Sequence, residues 1–404
     1  MCQAVRAACA LPLVALVDEL WSGVVVAGVD SVERELGLSH TRYVALVFSL
    51  PLILAALLES GASLLSEAWG RKVVIVAGQA ALGASLLFVA WTHGPWGLAL
   101  GLAVAGTASG VACGAAQGVL VAADPANVDR GLVRWALFAS IGDVLAPLVT
   151  AGAIALGFSY RAAMAAIAAA VLCQCVASSR RDDSGASPAH PDELVEPLRT
   201  AIAGAMRRPR LWLWLFAAAT CTLLDEIVVA LSTIRVERDL GTSAALAAAV
   251  PVVFAVGSVV GTHLSDRAVA RVGSRRVLVG SAGLCGVSLA LLVACRHPVA
   301  LCFALAAVGV TCASHHALAF ARAYDEVPQR PGVVQACAQL FVVIDVVAPL
   351  ALGRVADRFG SRAAIACLVA QPGVILACAV CFAPSKLRRA DAEGLADLGQ
   401  GPRP

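Results

Sequence analysis

Charge is what this chain has least of. Only 14% of its 404 residues are Asp, Glu, Lys or Arg, against 60% hydrophobic; a water-soluble domain carries roughly 25% charged residues and under half apolar ones. That shortage excludes a surface that mostly faces water. Charge-poor stretches recur from Ala8 to Phe382, each near the roughly 20 residues that cross a bilayer as a helix. The alternation of apolar and polar residues that marks barrel strands is missing too. The runs are apolar on every face, and backbone in lipid must satisfy its own hydrogen bonds, so they read as helices. Clustered histidine boxes, a G-x-S-x-G elbow, a P-loop and a nucleotide-binding domain are all absent. A membrane-embedded enzyme or receptor is therefore disfavoured, and ATP hydrolysis by this chain is excluded as an energy source. Nothing points to nucleic acid, a cofactor or a metal.

Most of the fourteen cysteines, such as Cys113, Cys221, Cys302 and Cys367, lie inside apolar runs and read as small packing residues rather than a disulfide framework. Cys378-x-x-Cys381 lacks the thioredoxin-like context that gives such a pair its meaning. The segment Met1 to Leu16 superficially resembles a signal peptide. Its apolar run continues past Asp18 and Glu19 to Val29 without a cleavage site, so it reads as a first span.

Spans are expected over residues 8–29, 43–65, 73–92, 96–121, 132–156 and 162–178, and again over 211–234, 244–264, 277–295, 298–321, 333–353 and 363–383. Between the sets, residues 179–210 hold Arg180, Arg181, Asp182, Asp183, Pro188, Pro191 and Pro197 and read as a cytoplasmic linker. The expected units are thus 1–178, the linker, 211–383, and a polar, disordered cytoplasmic tail at 384–404. With the N-terminus inside, inner loops collect about twice the basic residues of outer ones, Arg71, Lys72, Arg130, Arg207, Arg275 and Arg276 among them. That bias predicts both termini in the cytoplasm of a protein of the inner (plasma) membrane. The outer loop with Arg354, Arg358 and Arg362 runs against it.

The two sets match at an offset near 200 residues. Leu16-Val-Asp18-Glu19 recurs as Leu223-Leu-Asp225-Glu226, and Val32-Glu-Arg-Glu-Leu-Gly37 as Val236-Glu-Arg-Asp-Leu-Gly241. Pro51 and Gly61 pair with Pro251 and Gly261, Asp124 with Asp325, and Asp143-Val-Leu-Ala-Pro147 with Asp345-Val-Val-Ala-Pro349. A six-span repeat preserves orientation, so the halves are expected to be parallel copies about an axis along the membrane normal, with a site at mid-depth between them. The fold predicted is an all-α membrane protein of twelve transmembrane helices in two six-helix bundles.

The repeat, the linker and the loop between the second and third spans together resemble the major facilitator superfamily over nearly the whole chain. The loop reads Ser63-Leu-Leu65-Ser-Glu67-Ala-Trp-Gly70-Arg71-Lys72, against the family pattern G-x-L-x-D-x-x-G-R-K/R. Leu65, Gly70, Arg71 and Lys72 fit; Ser63 replaces the first Gly and Glu67 the Asp. The second half offers Gly261, Leu264, Asp266, Arg267, Gly273, Arg275 and Arg276, with extra residues before its second Gly. The resemblance implies that these loops gate the inner face through ion pairs; plain positive-inside anchoring is the alternative for Arg71 and Lys72. Gly353-Arg-Val-Ala-Asp357-Arg-Phe-Gly360-Ser-Arg362 fits the spacing as well but falls on the outer side, as a coincidence or a warning about the span count. Gly142-Asp-Val-Leu-Ala146-Pro147 loosely resembles the G-x-x-x-G-P motif of the family's drug/proton antiporters, with Ala146 in place of the second Gly.

The chemistry is expected at six acids near the centres of their spans: Asp18, Glu19, Asp143, Asp225, Glu226 and Asp345. An acid at that depth costs roughly 2.5–3.5 kcal/mol on insertion scales, so each should face protein or a water-filled cavity. No Lys or Arg lies at comparable depth. Such carboxyls can exchange protons with a cavity or neutralise a cationic solute, and the missing cations argue against anionic substrates. The alternative is hydrogen bonding that merely holds the bundle together. Neighbours on a helix diverge by about 100°, so Asp18 and Asp225 are read as the cavity members of their pairs. His315 and His316 break the repeat, standing where the first half has Gly114 and Ala115. They fit a proton relay, a solute contact or polar packing; adjacent histidines point apart on a helix, which disfavours a metal. Gln117, Gln335 and Gln339 are further hydrogen-bonding candidates. The functional expectation is a monomeric secondary transporter in the lipid bilayer that moves a small organic solute by alternating access, with proton-coupled efflux of a neutral or cationic compound ahead of proton symport or facilitated uptake.

Overall fold

A computed structural model describes residues 11–39, 42–43, 45–180, 191–328 and 330–381. Among the described residues ten helices are long and apolar enough to cross a membrane. In the first half these are α4 (Arg71–Trp91), α5 (Pro95–Ala123), α6 (Val128–Ala155) and α7 (Tyr160–Ser179). In the second they are α9 (Pro209–Asp239), α10 (Ala244–Val272, apolar from Ala249), α11 (Ser274–Ala294), α12 (Pro298–Glu326), α13 (Pro331–Phe359) and α14 (Ser361–Cys381). At the two remaining expected spans stand α1 (Pro12–Ala27) and α3 (Leu50–Trp69), the latter entered through a π turn at Ala45–Ser49. A short helix, α2 (Val29–Leu36), follows α1, and α8 (Pro191–Met206) lies within the segment expected to be a linker. The expected tail lies outside the described residues.

Proline opens α1, α5, α9, α12 and α13 at the first turn, where its missing N–H costs no hydrogen bond and its fixed φ suits a helix. The repeat extends to backbone conformation: Gly37 and Gly241, which close the two Val-Glu-Arg segments, have φ of 62° and 61°. Pro147 inside α6 and Pro349 inside α13 repeat as well. Each removes the hydrogen bond to the carbonyl four residues back, which belongs to Asp143 and Asp345 respectively.

The apolar cores show how the halves meet. The end of the bundle that carries Arg180 and Pro209 is the linker end. There one buried cluster draws on both halves, joining Val128, Leu132 and Val133 to Leu211, Leu278, Leu318 and Val333. Toward the far end the core divides. One cluster, with Val24, Leu86, Leu102 and Tyr160, belongs wholly to the first half. The other, with Leu224, Leu231, Leu289 and Leu301, belongs wholly to the second. The molecule is closed at the linker end and parted at the far end.

A carboxyl-lined central cavity

Three irregular stretches of backbone lie at mid-depth. A π turn at Leu223–Ile227 carries Asp225 and Glu226; α12 breaks into a turn at residues 313–314, just before His315; a 3-10 turn at Gln339–Phe341 precedes Asp345. Inside a membrane such departures are tolerated only where backbone is covered by protein or lines a water-filled cavity, and π turns recur at functional positions.

The acids converge there. In the first half Asp18 is enclosed: Trp21 Nε1 donates to its Oδ1 at 3.0 Å, the Ser109 hydroxyl donates to the same oxygen, and Cys113 Sγ lies 3.5 Å from Oδ2. Glu19 turns the other way, its Cβ against Gly142 of α6, next to Asp143. Across the interface Asp225 lies within electrostatic reach of Asp143 and Glu226, and Glu226 within reach of Asp345. Asp345 accepts a 2.7 Å hydrogen bond from Thr222. Asp143, Asp225 and Glu226 are exposed although they sit in the middle of the bundle, so they line an open space between the halves. All six expected acids therefore belong to one region. Asp225 and its neighbour Glu226 both reach the cavity, because the π turn changes the spacing of side chains around α9.

The two histidines point apart as their adjacency requires. His315 is buried in the second half between Ser281 (3.1 Å from Nε2) and Gln371 (3.4 Å from Nδ1). His316 is exposed and lies against Phe320, ring centres 4.9 Å apart, and Phe320 against Tyr324 at 5.8 Å. That stripe, four residues per step, ends where the Tyr324 hydroxyl meets Gln117 of the first half at 3.4 Å. His316 thus faces the central space and His315 does not. Among the described residues no group of three or more His, Cys, Asp or Glu is arranged to hold a metal ion.

Below the acids the seam is polar and closed. Gln335 Nε2 donates to Gln117 Oε1 at 2.8 Å and to the Tyr324 hydroxyl at 2.6 Å. Gln339 of α13 donates to Glu59 of α3. At the linker end Asp266 pairs with Arg130 (3.2 Å) and Arg134 (3.3 Å) of the first half. Arg322 bonds Asp129 (3.2 Å) and Asp325 (3.0 Å), and Ser274 donates to Asp129 at 2.8 Å.

The loop residues divide. Gly70 and Gly273 join consecutive helices with φ of 88° and 82°, in the left-handed region that favours glycine. Arg71 donates to the Gly118 carbonyl at 3.3 Å, and Lys72 is half-buried beside it at the start of α4. The Glu67 side chain lies outside the described residues. Asp266 makes the cross-half pairs, whereas Arg275 stays within its own half on the carbonyls of Ala379 (2.9 Å) and Val380 (3.0 Å), and Arg267 and Arg276 are exposed. Gly360 repeats the same one-glycine turn with φ of 85°. It does so at the far end, where Asp239 accepts from Ser361, so the motif-like spacing before Arg362 marks a turn type shared with the linker-end loops and leaves the span count intact.

Sequence reasoning passed over Glu59, although it is an acid within an expected span. It has no repeat partner: the offset of about 200 sets it against Val259 or Val260. Asp129 and Arg322 were missed because near a helix end they look like ordinary anchoring charges.

The model of the Major Facilitator Superfamily matches residues 13–344. No curated protein sequence is a significant match. Among solved structures, FucP, a fucose:proton symporter of E. coli, in its outward conformation is 15% identical with a TM-score of 0.77, over 95% of this chain and all of that one. The proton:xylose symporter XylE is 12% identical with a TM-score of 0.76, over 95% of this chain and 96% of that one. The human organic anion transporter MFSD10 is 14% identical with a TM-score of 0.71, over 93% and 99%. Likeness at these identities establishes the fold; the family match, which spans most of the chain, goes further, and the chain belongs to the Major Facilitator Superfamily, a multi-pass membrane protein and a secondary transporter rather than an enzyme.

Proposed function

We propose that this transporter exports a small cationic or neutral organic solute in exchange for protons, by alternating access of the central cavity. One observation carries the reading: carboxyl groups from both halves surround the cavity, and among the described residues no Lys or Arg lies at that depth. A cationic solute and protons then compete for the same carboxyls, so binding one releases the other, which is the chemistry of exchange. An organic anion would meet a cluster of carboxyls there, with no guanidinium to receive it. Hydrogen bonds from neutral solutes are open to Asp143, Asp225, Glu226 and His316. The parted far end and closed linker end correspond to a cavity open to one side. The positive-inside bias supports a cytoplasmic linker end, both termini in the cytoplasm and a plasma-membrane location. In this reading the chain works as a monomer.

The test is flux in everted vesicles with a panel of organic cations and neutral solutes. An imposed pH gradient, acid inside, should drive solute accumulation, and a protonophore should abolish it. Flux indifferent to the gradient would overturn coupling. Accumulation of the solute by intact cells expressing the chain would reverse the direction and make it a symporter.

A further inference from the structure

Glu59 stands apart from the other intramembrane acids. It sits on α3 at the seam between the halves, and its Oε2 accepts a hydrogen bond from Gln339 in the 3-10 turn of α13. Gly110 of α5 lies directly under the carboxyl, where a Cβ would fall on both carboxyl oxygens. Among the described residues the titratable groups facing it are Asp18 on α1 and Cys113 on α5; from α13 it meets the amide of Gln339. Between Glu59 and the linker-end ion pairs lies the closed contact of Gln335, Gln117 and Tyr324. Glu59 is thus half-buried at the cavity floor, next to the Asp18 group on one side and a seam that must part on the other.

We infer that Glu59 is the residue that delivers the coupled proton to the linker side. The inference rests on the proton-coupled reading above. While the far end is open, the Glu59–Gln339 bond and the amide contact beneath it separate the carboxyl from linker-side water. When α3 and α13 part, that bond breaks and the carboxyl meets water. Its O–H bond then breaks, the proton passes to a water molecule, and a carboxylate remains. That carboxylate draws Gln339 back as the seam closes and regains a proton from the cavity side, where Asp18 is its charged neighbour. Protonation and closure of the seam are in this way tied to one side chain.

The experiment uses the full-length protein in proteoliposomes and two readouts: solute flux driven by a pH gradient, and solute–solute exchange at equal pH. Glu59→Gln keeps size and hydrogen bonding but cannot titrate. Gradient-driven flux should fall at least about a hundredfold, the scale of a lost proton-transfer group, while exchange persists. Glu59→Asp should restore gradient-driven flux with a shifted pH profile, and it carries the test if Glu59→Gln does not fold. Gln339→Leu should raise solute-independent proton leak. Gradient-driven flux at the wild-type level in Glu59→Gln, equal loss of both readouts, or an unshifted profile in Glu59→Asp overturns the assignment. Wild-type protein without gradient-driven flux overturns the coupling reading itself, and this inference with it.

Discussion

The two halves solve the same far-end problem with different arginines. In the first half Arg161, from the start of α7, donates to the carbonyls of Val89 (3.4 Å), Ala90 (3.1 Å) and Thr92 at the end of α4. In the second half Arg235, from the end of α9, donates to Leu292 (2.7 Å), Val293 (3.1 Å) and Cys295 at the end of α11. The acceptors correspond at a constant offset of 203 residues, yet the donors do not: the repeat partner of Arg161 is Arg362, and that of Arg235 is Ser31. What is retained is the need for a cation on the unpaired carbonyls of a helix end inside a membrane; either neighbouring helix can supply it. The acids show the opposite divergence. Asp18 and Asp225 occupy the same repeat position, but two of the three groups that hold Asp18 have lost their counterparts. Trp21 becomes Val228 and Ser109 becomes Val310. One acid is fixed in place and its copy is left to the cavity.

The clamp gives the largest predicted effect. Arg235 is 4% exposed, and hydrogen bonds to charged groups contribute about 1.5–3 kcal/mol each. Arg235→Met should lower the thermal unfolding midpoint sharply, by at least about 3 kcal/mol of stability. Arg362→Met, at an exposed position, should leave the midpoint unchanged. Equal effects would show that the second half also uses the partner arginine, and that the exchange of donors is not real.

The acids follow. Asp225→Asn should weaken binding of a cationic solute at least about tenfold, close to 1.4 kcal/mol, since its carboxylate has no hydrogen-bond donor among the described residues to compete with the solute. Asp18→Asn keeps an acceptor for Trp21 and Ser109 and should change solute affinity by no more than about threefold, well under 1 kcal/mol. Isothermal titration or competition binding in detergent distinguishes them. A larger loss in Asp18→Asn would reverse the comparison and make the enclosed acid the solute ligand.

The fold was legible because it is written in composition and in the repeat: lipid forbids most alternatives to apolar helices, and Asp143 with Pro147 against Asp345 with Pro349 aligns the halves. The depth of the acids was legible for the same reason. Which way they turn was not. Helical periodicity assigns one member of Asp225-Glu226 to the cavity, but a π turn falls on that pair and turns both toward it. Asp18 looked like the free member of its pair, and the groups that enclose it, Ser109 and Cys113, come from a helix some 90 residues away. Glu59 was invisible to a search guided by symmetry, since it is a place where the copies differ. The second-half loop resembled the first in residue types, yet its Asp266 reaches across to α6 while its arginines stay at home or face outward.

That last difference gives the smallest expected effect. Asp266 holds Arg130 and Arg134, but these side chains are 36% and 53% exposed and that of Asp266 20%, so water and salt screen the pairs and their contribution is about 0.2–1 kcal/mol. Asp266→Asn should therefore shift the balance toward the linker-open state by no more than about fivefold. Hydrogen–deuterium exchange of the amides around Gly70 and Gly273 should rise modestly, and less at high salt. Arg276→Gln, a charge removed from the same loop at an exposed position, should leave that exchange unchanged. The contrast separates two roles that similar loop residues can play. If both substitutions raise exchange alike, the loop acts through its net charge at the membrane surface; if only Asp266→Asn does, a specific contact between the halves holds the linker end shut.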